Sequence, residues 1–90
     1  MTSIDFSKNI RTHVDVGRME IPAGGTIKTA LDQVFAEHSR LRSYLLDDRG
    51  SVRKHVAVFR NGESILDREN LSDQVNDGDE IFVMQALSGG

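Results

Sequence analysis

Thr26-Ile27-Lys28-Thr29-Ala30-Leu31-Asp32-Gln33-Val34-Phe35-Ala36-Glu37 carries the clearest periodicity in the chain. Ile27, Ala30, Leu31, Val34 and Phe35 recur at i, i+3, i+4, i+7 and i+8, one apolar stripe of a helix. Lys28, Asp32, Gln33, Ala36 and Glu37 fall mainly on the other side. Thr26 stands where an N-cap belongs, after a turn at Ala23-Gly24-Gly25. The helix is expected to fade near His38-Ser39. A lone amphipathic helix must bury its stripe against another layer, and the flanking sequence supplies a sheet.

Upstream, Ile4 and Phe6 lie on one face of a first strand, followed by a polar stretch around Asn9 to Thr12. A second strand runs from about Arg18 to Ile21, where Met19 and Ile21 alternate against Arg18 and Glu20. Pro22 ends it, because proline has no N–H to give a ladder. Downstream, Leu41, Leu45 and Leu46 indicate a short irregular or helical continuation before a loop at Asp47-Asp48-Arg49-Gly50. Val56-Ala57-Val58-Phe59 is a β-rich run closed by Asn61-Gly62, a strong hairpin signal. Ile65-Leu66 is expected as a brief return strand, with Leu71 and Val75 plugging the core from a short turn of helix. Asn76-Asp77-Gly78-Asp79 is another tight turn, and a last strand rises from Glu80 to about Ala86.

The resulting order is ββαβ(β)β, with the first and last strands as expected neighbours. This is an α+β fold, a mixed four- to five-stranded sheet packed on one long helix, which is the ubiquitin-like β-grasp arrangement. Residues 1–87 are expected to form that domain and 88–90 a flexible tail.

Composition narrows the chemistry. Ninety residues allow one core and little else. Hydrophobic content of 38% with 28% charged is that of a globular domain, far from a disordered composition. A net charge of −3 gives no general reason to expect nucleic-acid binding. Cysteine is absent, which removes thiol catalysis, disulfides, iron–sulfur clusters and thiolate zinc sites together. Apolar runs reach four residues, too short to span a bilayer, and the N-terminus lacks the apolar stretch of a secretory signal. A soluble, cytoplasmic protein is expected.

Three further patterns carry no site chemistry. Gly24-Gly25-Thr26 precedes a helix but lacks P-loop spacing and its Lys-Ser/Thr. His13, His38 and His55 are scattered, so no metal site is expected. Asn76-Asp77-Gly78-Asp79-Glu80 has calcium-like chemistry without EF-hand spacing.

The chain ends Ser88-Gly89-Gly90 directly after the last strand. Glycine has no Cβ, so its backbone can enter a channel too narrow for other residues. Three residues beyond Leu87 extend at most ~10 Å, enough to carry a carboxylate clear of the folded body. Together with Val56-Ala57-Val58-Phe59-Arg60-Asn61-Gly62-Glu63 and Asp77-Gly78-Asp79-Glu80-Ile81, this ending resembles the MoaD/ThiS family of sulfur carriers, over essentially the whole chain.

The resemblance implies a carrier that is no enzyme itself, with no catalytic residue and no bound cofactor. A ubiquitin-activating-type adenylyltransferase of the MoeB/ThiF type would use Mg-ATP to make an acyl-adenylate at Gly90. A sulfur donor would displace AMP and leave a thiocarboxylate, which an acceptor synthase would consume in biosynthesis of molybdopterin, thiamine, cysteine or a related thio-metabolite. Ser88 and Gly89 form the tail that presents Gly90. Many family members carry proline just before the small residues leading to the diglycine, and Met84-Gln85-Ala86-Leu87 has none, which leaves the activating enzyme and the acceptor open.

Partner docking is read from alternation. Ile81 and Val83 share one face of the last strand, Phe82 and Met84 the other. If Ile81 and Val83 face the helix, then Phe82 and Met84 lie exposed with Phe59, an apolar cluster leading through Leu87 into the tail. Arg40, Arg42, Arg49, Arg53 and Lys54 concentrate positive charge, which either is a solvated loop or steers an acidic partner surface. Two other functions use the same sequence: a ubiquitin-like protein modifier conjugated through Gly90, and a non-catalytic β-grasp interaction module.

Overall fold

In the computed structural model, which describes residues 1–22 and 24–85, the predicted stripe becomes a helix over Ile27–Glu37 (α2) with Ile27, Ala30, Leu31, Val34 and Phe35 buried. Its start is specified by several independent bonds. Thr26 is extended (φ −124°, ψ 172°), and its Oγ1 accepts from the Thr29 N–H while Thr29 Oγ1 accepts from the Thr26 N–H at 2.9 Å. This is a capping box with threonine in the place usually held by Glu or Gln. The Ile27 and Lys28 N–H groups donate to the Asp73 and Leu71 carbonyls at 2.9 and 3.0 Å. Donors that a helix start normally leaves orphaned, the N–H groups of Thr26 to Thr29, are therefore taken by the chain itself and are not offered to an anion.

Five strands form one mixed sheet: Thr2–Phe6 (β1), Met19–Ile21 (β2), Val56–Arg60 (β3), Glu63–Ser64 (β4) and Glu80–Gln85 (β5), in the order β2-β1-β5-β3-β4. β1 and β5 are parallel neighbours, and the remaining pairs are antiparallel. The registers Phe6↔Val83 and Val58↔Val83 lay three residues in one row across the centre, each 0–1% exposed. Thr2, Ile4, Val56 and Ile81 extend that inner face. Burying side chains of this size stabilises the fold by about 1.5–3 kcal/mol each.

The structure differs from the one-long-helix expectation. Two short helices accompany α2: Lys8–His13 (α1) and Ser39–Leu45 (α3). α1 fills the expected polar stretch and inserts only Ile10 into the core, so no periodicity betrays it. α3 is the helical version of the expected continuation. His38, at φ −131° and ψ 71°, breaks the helix path, and Leu41 and Leu45 bury from the new direction.

Asn61 and Gly62 at φ 53° and 84° make a two-residue turn of the type that suits hairpin twist. Such a turn returns the chain to pairing at once, Arg60 opposite Glu63, so β4 lies two residues before the predicted Ile65-Leu66. Ile65 is buried and adds one more bond, its N–H to the Val58 carbonyl at 3.0 Å, while Leu66 is 93% exposed. The Asp73 carboxylate then accepts from the Leu66 and Asp67 N–H groups, both at 2.9 Å. Leu71 and Val75 do plug the core, but from a turn and an extended stretch, with Leu71 at φ 56°.

Candidate functional site

The three helices cover one face of the sheet, and β5 shows what remains. Along it, burial alternates: Ile81 and Val83 are 2% and 0% exposed, Phe82 and Met84 39% and 37%. The condition on which the docking prediction rested is met. The antiparallel register sets Phe59 directly opposite Phe82 and Ala57 opposite Met84, both half-buried. Asp5 of β1 stands on the other flank of Phe82. The sequence-predicted residues Phe59, Phe82 and Met84 thus come together as one apolar strip on the uncovered face of the two central strands. Leu87, Ser88, Gly89 and Gly90 lie outside the described residues.

The end of β5 is fastened from two helices. The Gln85 N–H donates to Ser7 Oγ at 3.3 Å, and Asn9 Nδ2 donates to the Gln85 carbonyl at 3.4 Å. The Tyr44 hydroxyl donates to Gln85 Oε1. Ser7 sits at the α1 N-cap, yet its hydroxyl makes no capping bond there and serves Gln85 instead. The Tyr44 ring lies 5.5 Å from the His13 ring, tilted by 34°. Beside them opens a depression of about 400 Å³ lined by His13, Val14, Arg40, Ser43 and Tyr44. Sequence reasoning missed Ser7, Asn9, Tyr44 and Gln85, and no local signal offered them. They converge across separations of 41 to 78 residues.

The titratable groups with displaced pKa values are loop carboxylates bound by backbone. The Ser51 N–H holds the Asp47 carboxyl below the usual carboxylate range, and the Asn70 N–H does the same at Asp67, helped by the Ser72 hydroxyl. Asp73 is lowered by the Leu66 and Asp67 N–H groups, and Asp79 by the Asn76 N–H and the Asn61 side chain. Each serves to tie a turn. Among the described residues there is no group of three or more His, Asp or Glu able to hold a metal ion, and no helix long and apolar enough to cross a membrane.

Comparison with known proteins matches the ThiS family model to residues 9–90 of this chain. Small archaeal modifier protein 1 of Haloferax volcanii is 32% identical over 73 residues, 81% of this chain and 79% of that protein. The sulfur carrier protein CysO of Mycobacterium tuberculosis is 23% identical over 83 residues, 90% of this chain and 89% of that protein. In the crystal structure of the Amycolatopsis orientalis BexX/CysO complex, a chain 22% identical superposes with a TM-score of 0.82, covering 100% of both chains. That likeness bears on the fold, which is ubiquitin-like β-grasp.

Proposed function

This chain belongs to the ThiS family, and on that premise we propose that it is a sulfur carrier whose reactive group is the carboxylate of Gly90. The observation that carries the reading is that the family match runs through Ser88-Gly89-Gly90, the segment that follows the anchored end of β5. A carboxylate is a poor acyl donor until its oxygen becomes a good leaving group. The proposed partner, an adenylyltransferase, supplies that with Mg-ATP: a Gly90 oxygen attacks the α-phosphorus, pyrophosphate leaves, and an acyl-adenylate forms. Hydrosulfide released by the donor then adds to the carbonyl carbon, expels AMP and loses its proton, leaving a thiocarboxylate for an acceptor synthase. The chain needs no cofactor and no catalytic side chain for this, since ATP and magnesium enter through the partner.

The carrier's own part is recognition. The strip of Phe59, Phe82 and Met84 offers apolar area to the partner, and Leu87 is proposed to add to that contact. Intact mass spectrometry tests the chemistry. Incubation with the adenylyltransferase of the same organism, Mg-ATP and a sulfide source is expected to add the mass of one sulfur minus one oxygen. Deletion of Gly90 is expected to abolish the gain. Absence of any gain, with pyrophosphate release by that enzyme demonstrated on another carrier, removes the proposal.

A second reading has a specific observation behind it: at 32% identity, one relative is named a modifier protein. The same acyl-adenylate would then acylate a lysine amine of a target. Gly90 found in isopeptide linkage on cellular proteins distinguishes conjugation from sulfur transfer.

A further inference from the structure

Strand register sorts the charge of this molecule to the two ends of its sheet. β5 enters at Glu80 beside Ser3 and leaves at Gln85 opposite Val56. Around the entry, Glu63, Asp77, Asp79 and Glu80 gather on the β3–β4 hairpin and the turn before β5, where the Asn61 side chain bonds both Asp79 and the Glu80 N–H. Arg60 and the N-terminal amine oppose them, the amine paired with Asp77.

The exit end has the opposite sign. Lys8 and Arg11 stand on α1, which begins just after Phe6 reaches Val83. Arg40 and Arg42 stand on α3, whose Tyr44 bonds Gln85. Arg53 and Lys54 lie in the segment that leads into Val56, opposite Gln85. These six are more than half of the chain's 11 Lys and Arg, in a protein of net charge −3. Two of them meet at one place: Arg40 shares the depression with His13 and Tyr44, and Arg53 Nε donates to the Ser43 carbonyl of the same depression at 2.9 Å. Among the described residues, ion pairs form at Met1–Asp77 and Lys28–Asp32, and none of these six cations is in one. Nearby acids are partly engaged: Asp47 by the N–H groups of its own loop, while Asp15 and Glu37 line a second depression together with Arg40. Asp48 is exposed in that loop.

We propose that the basic end around Gln85 is a docking surface for an acidic rim on the partner protein that receives the C-terminal segment. This rests on the carrier reading above. A positive excess at the end where the segment departs, and a negative excess at the far end, orients the molecule during approach. The attraction raises the association rate and falls with salt, because the Debye length shrinks from about 10 Å at 0.1 M to a few ångströms near 1 M. A protein partner fits better than nucleic acid, since the far acidic end is repelled by an extended polyanion.

The test compares three chains as substrates of the adenylyltransferase of the same organism, at about 0.05 M and about 0.5 M KCl, either side of the physiological screening range. One is the natural sequence. The second carries Arg40→Gln, Arg42→Gln and Lys54→Gln. The third carries Gln33→Glu, Gln74→Glu and Asn76→Asp, exposed positions, of which Gln74 and Asn76 lie at the acidic end, their carbonyls bonded by Arg60 and Thr2. Three charge units separate either variant from the natural net charge of −3, so both stand at −6. The neutralised chain is expected to lose about tenfold in kcat/KM at low salt, with kcat unchanged, and to converge on the natural chain at high salt. The third is expected to stay within about twofold. Equal salt dependence of all three, or an equal loss in the third, overturns the proposal and leaves the carrier reading intact. Failure of the natural chain to be activated at either salt overturns both.

Discussion

Replacing Phe82 with alanine separates docking from folding, because the structure divides that side chain between the two. Phe82 is 39% exposed. Taken on the roughly 200 Å² that a phenylalanine can bury, this leaves about 80 Å² for a partner to cover. At ~25 cal/mol per Å² the loss on binding is about 2 kcal/mol, or about thirtyfold in KM for activation. The remaining area, about 120 Å², is already covered within the sheet face beside Phe59 and Asp5. Its loss sets an upper bound of about 3 kcal/mol on destabilisation, within the usual stability of a domain of about 5–15 kcal/mol. The assay is pyrophosphate release by the adenylyltransferase at 20–25 °C, about room temperature, with native circular dichroism verified first. KM is expected to rise about thirtyfold with kcat little changed, and Phe82→Leu to recover most of the loss. A folded Phe82→Ala chain with unaltered KM refutes the assignment of this face as the docking surface.

Tyr44→Phe removes only the hydroxyl that bonds Gln85; if that bond aims the following segment, kcat is expected to fall about three- to tenfold with KM unchanged, whereas a purely structural role lowers Tm and leaves kcat at 20 °C alone. Gly25→Ala places a Cβ 2.5 Å from Thr29 Oγ1 on a backbone at φ +84°, and urea denaturation is expected to show a loss of about 2 kcal/mol from left-handed strain and a disturbed cap. Acid sensitivity follows from the lowered carboxylates of Asp47, Asp67, Asp73 and Asp79. Because the folded chain holds these groups deprotonated more firmly than the unfolded chain, their stabilisation is present above an unfolded pKa of about 3.9 and lost as pH falls through the folded values. Urea midpoints are therefore expected to be level between about pH 7 and 5 and to drop below about pH 4, with a shallower drop in Asp67→Asn; a midpoint that rises on acidification contradicts this.

The parts of the fold legible in the sequence are those where one physical pattern repeats enough to stand out. α2 shows three turns of apolar stripe, Asn61-Gly62 supplies the left-handed backbone a tight hairpin demands, and β5 alternates cleanly from Ile81 to Met84. α1 and α3 were less legible for a common reason. Six or seven residues with one or two buried side chains give no period, and His38 breaks the helix without glycine or proline to announce it. The apolar strip was legible as a conditional statement, needing only the structure to say which face the helices cover. The fastening of Gln85 was not legible at all. Serine before a helix reads as a cap, and nothing nearby in sequence reveals that Ser7 turns to a strand 78 residues away.

The strip's position within the sheet also limits how a partner can use it. Recognition by strand addition needs several free backbone groups along an edge. Here the edges are β2, three residues ended by Pro22, and β4, two exposed residues of which one is Glu63. Short and charged edges of this kind disfavour pairing with another chain. The exposed apolar area sits instead on β5, which lies between β1 and β3, and on β3, whose outer side is covered by β4 at Phe59 and Arg60 and by the Ile65 N–H at the Val58 carbonyl. A partner docked on Phe59, Phe82 and Met84, as proposed, would meet them chiefly through side chains. Side-chain contacts on a smooth face fix the approach of a molecule poorly about the strip's long axis. Orientation must come from something off the strip, and the charge at the exit end of β5 is placed where it can supply it.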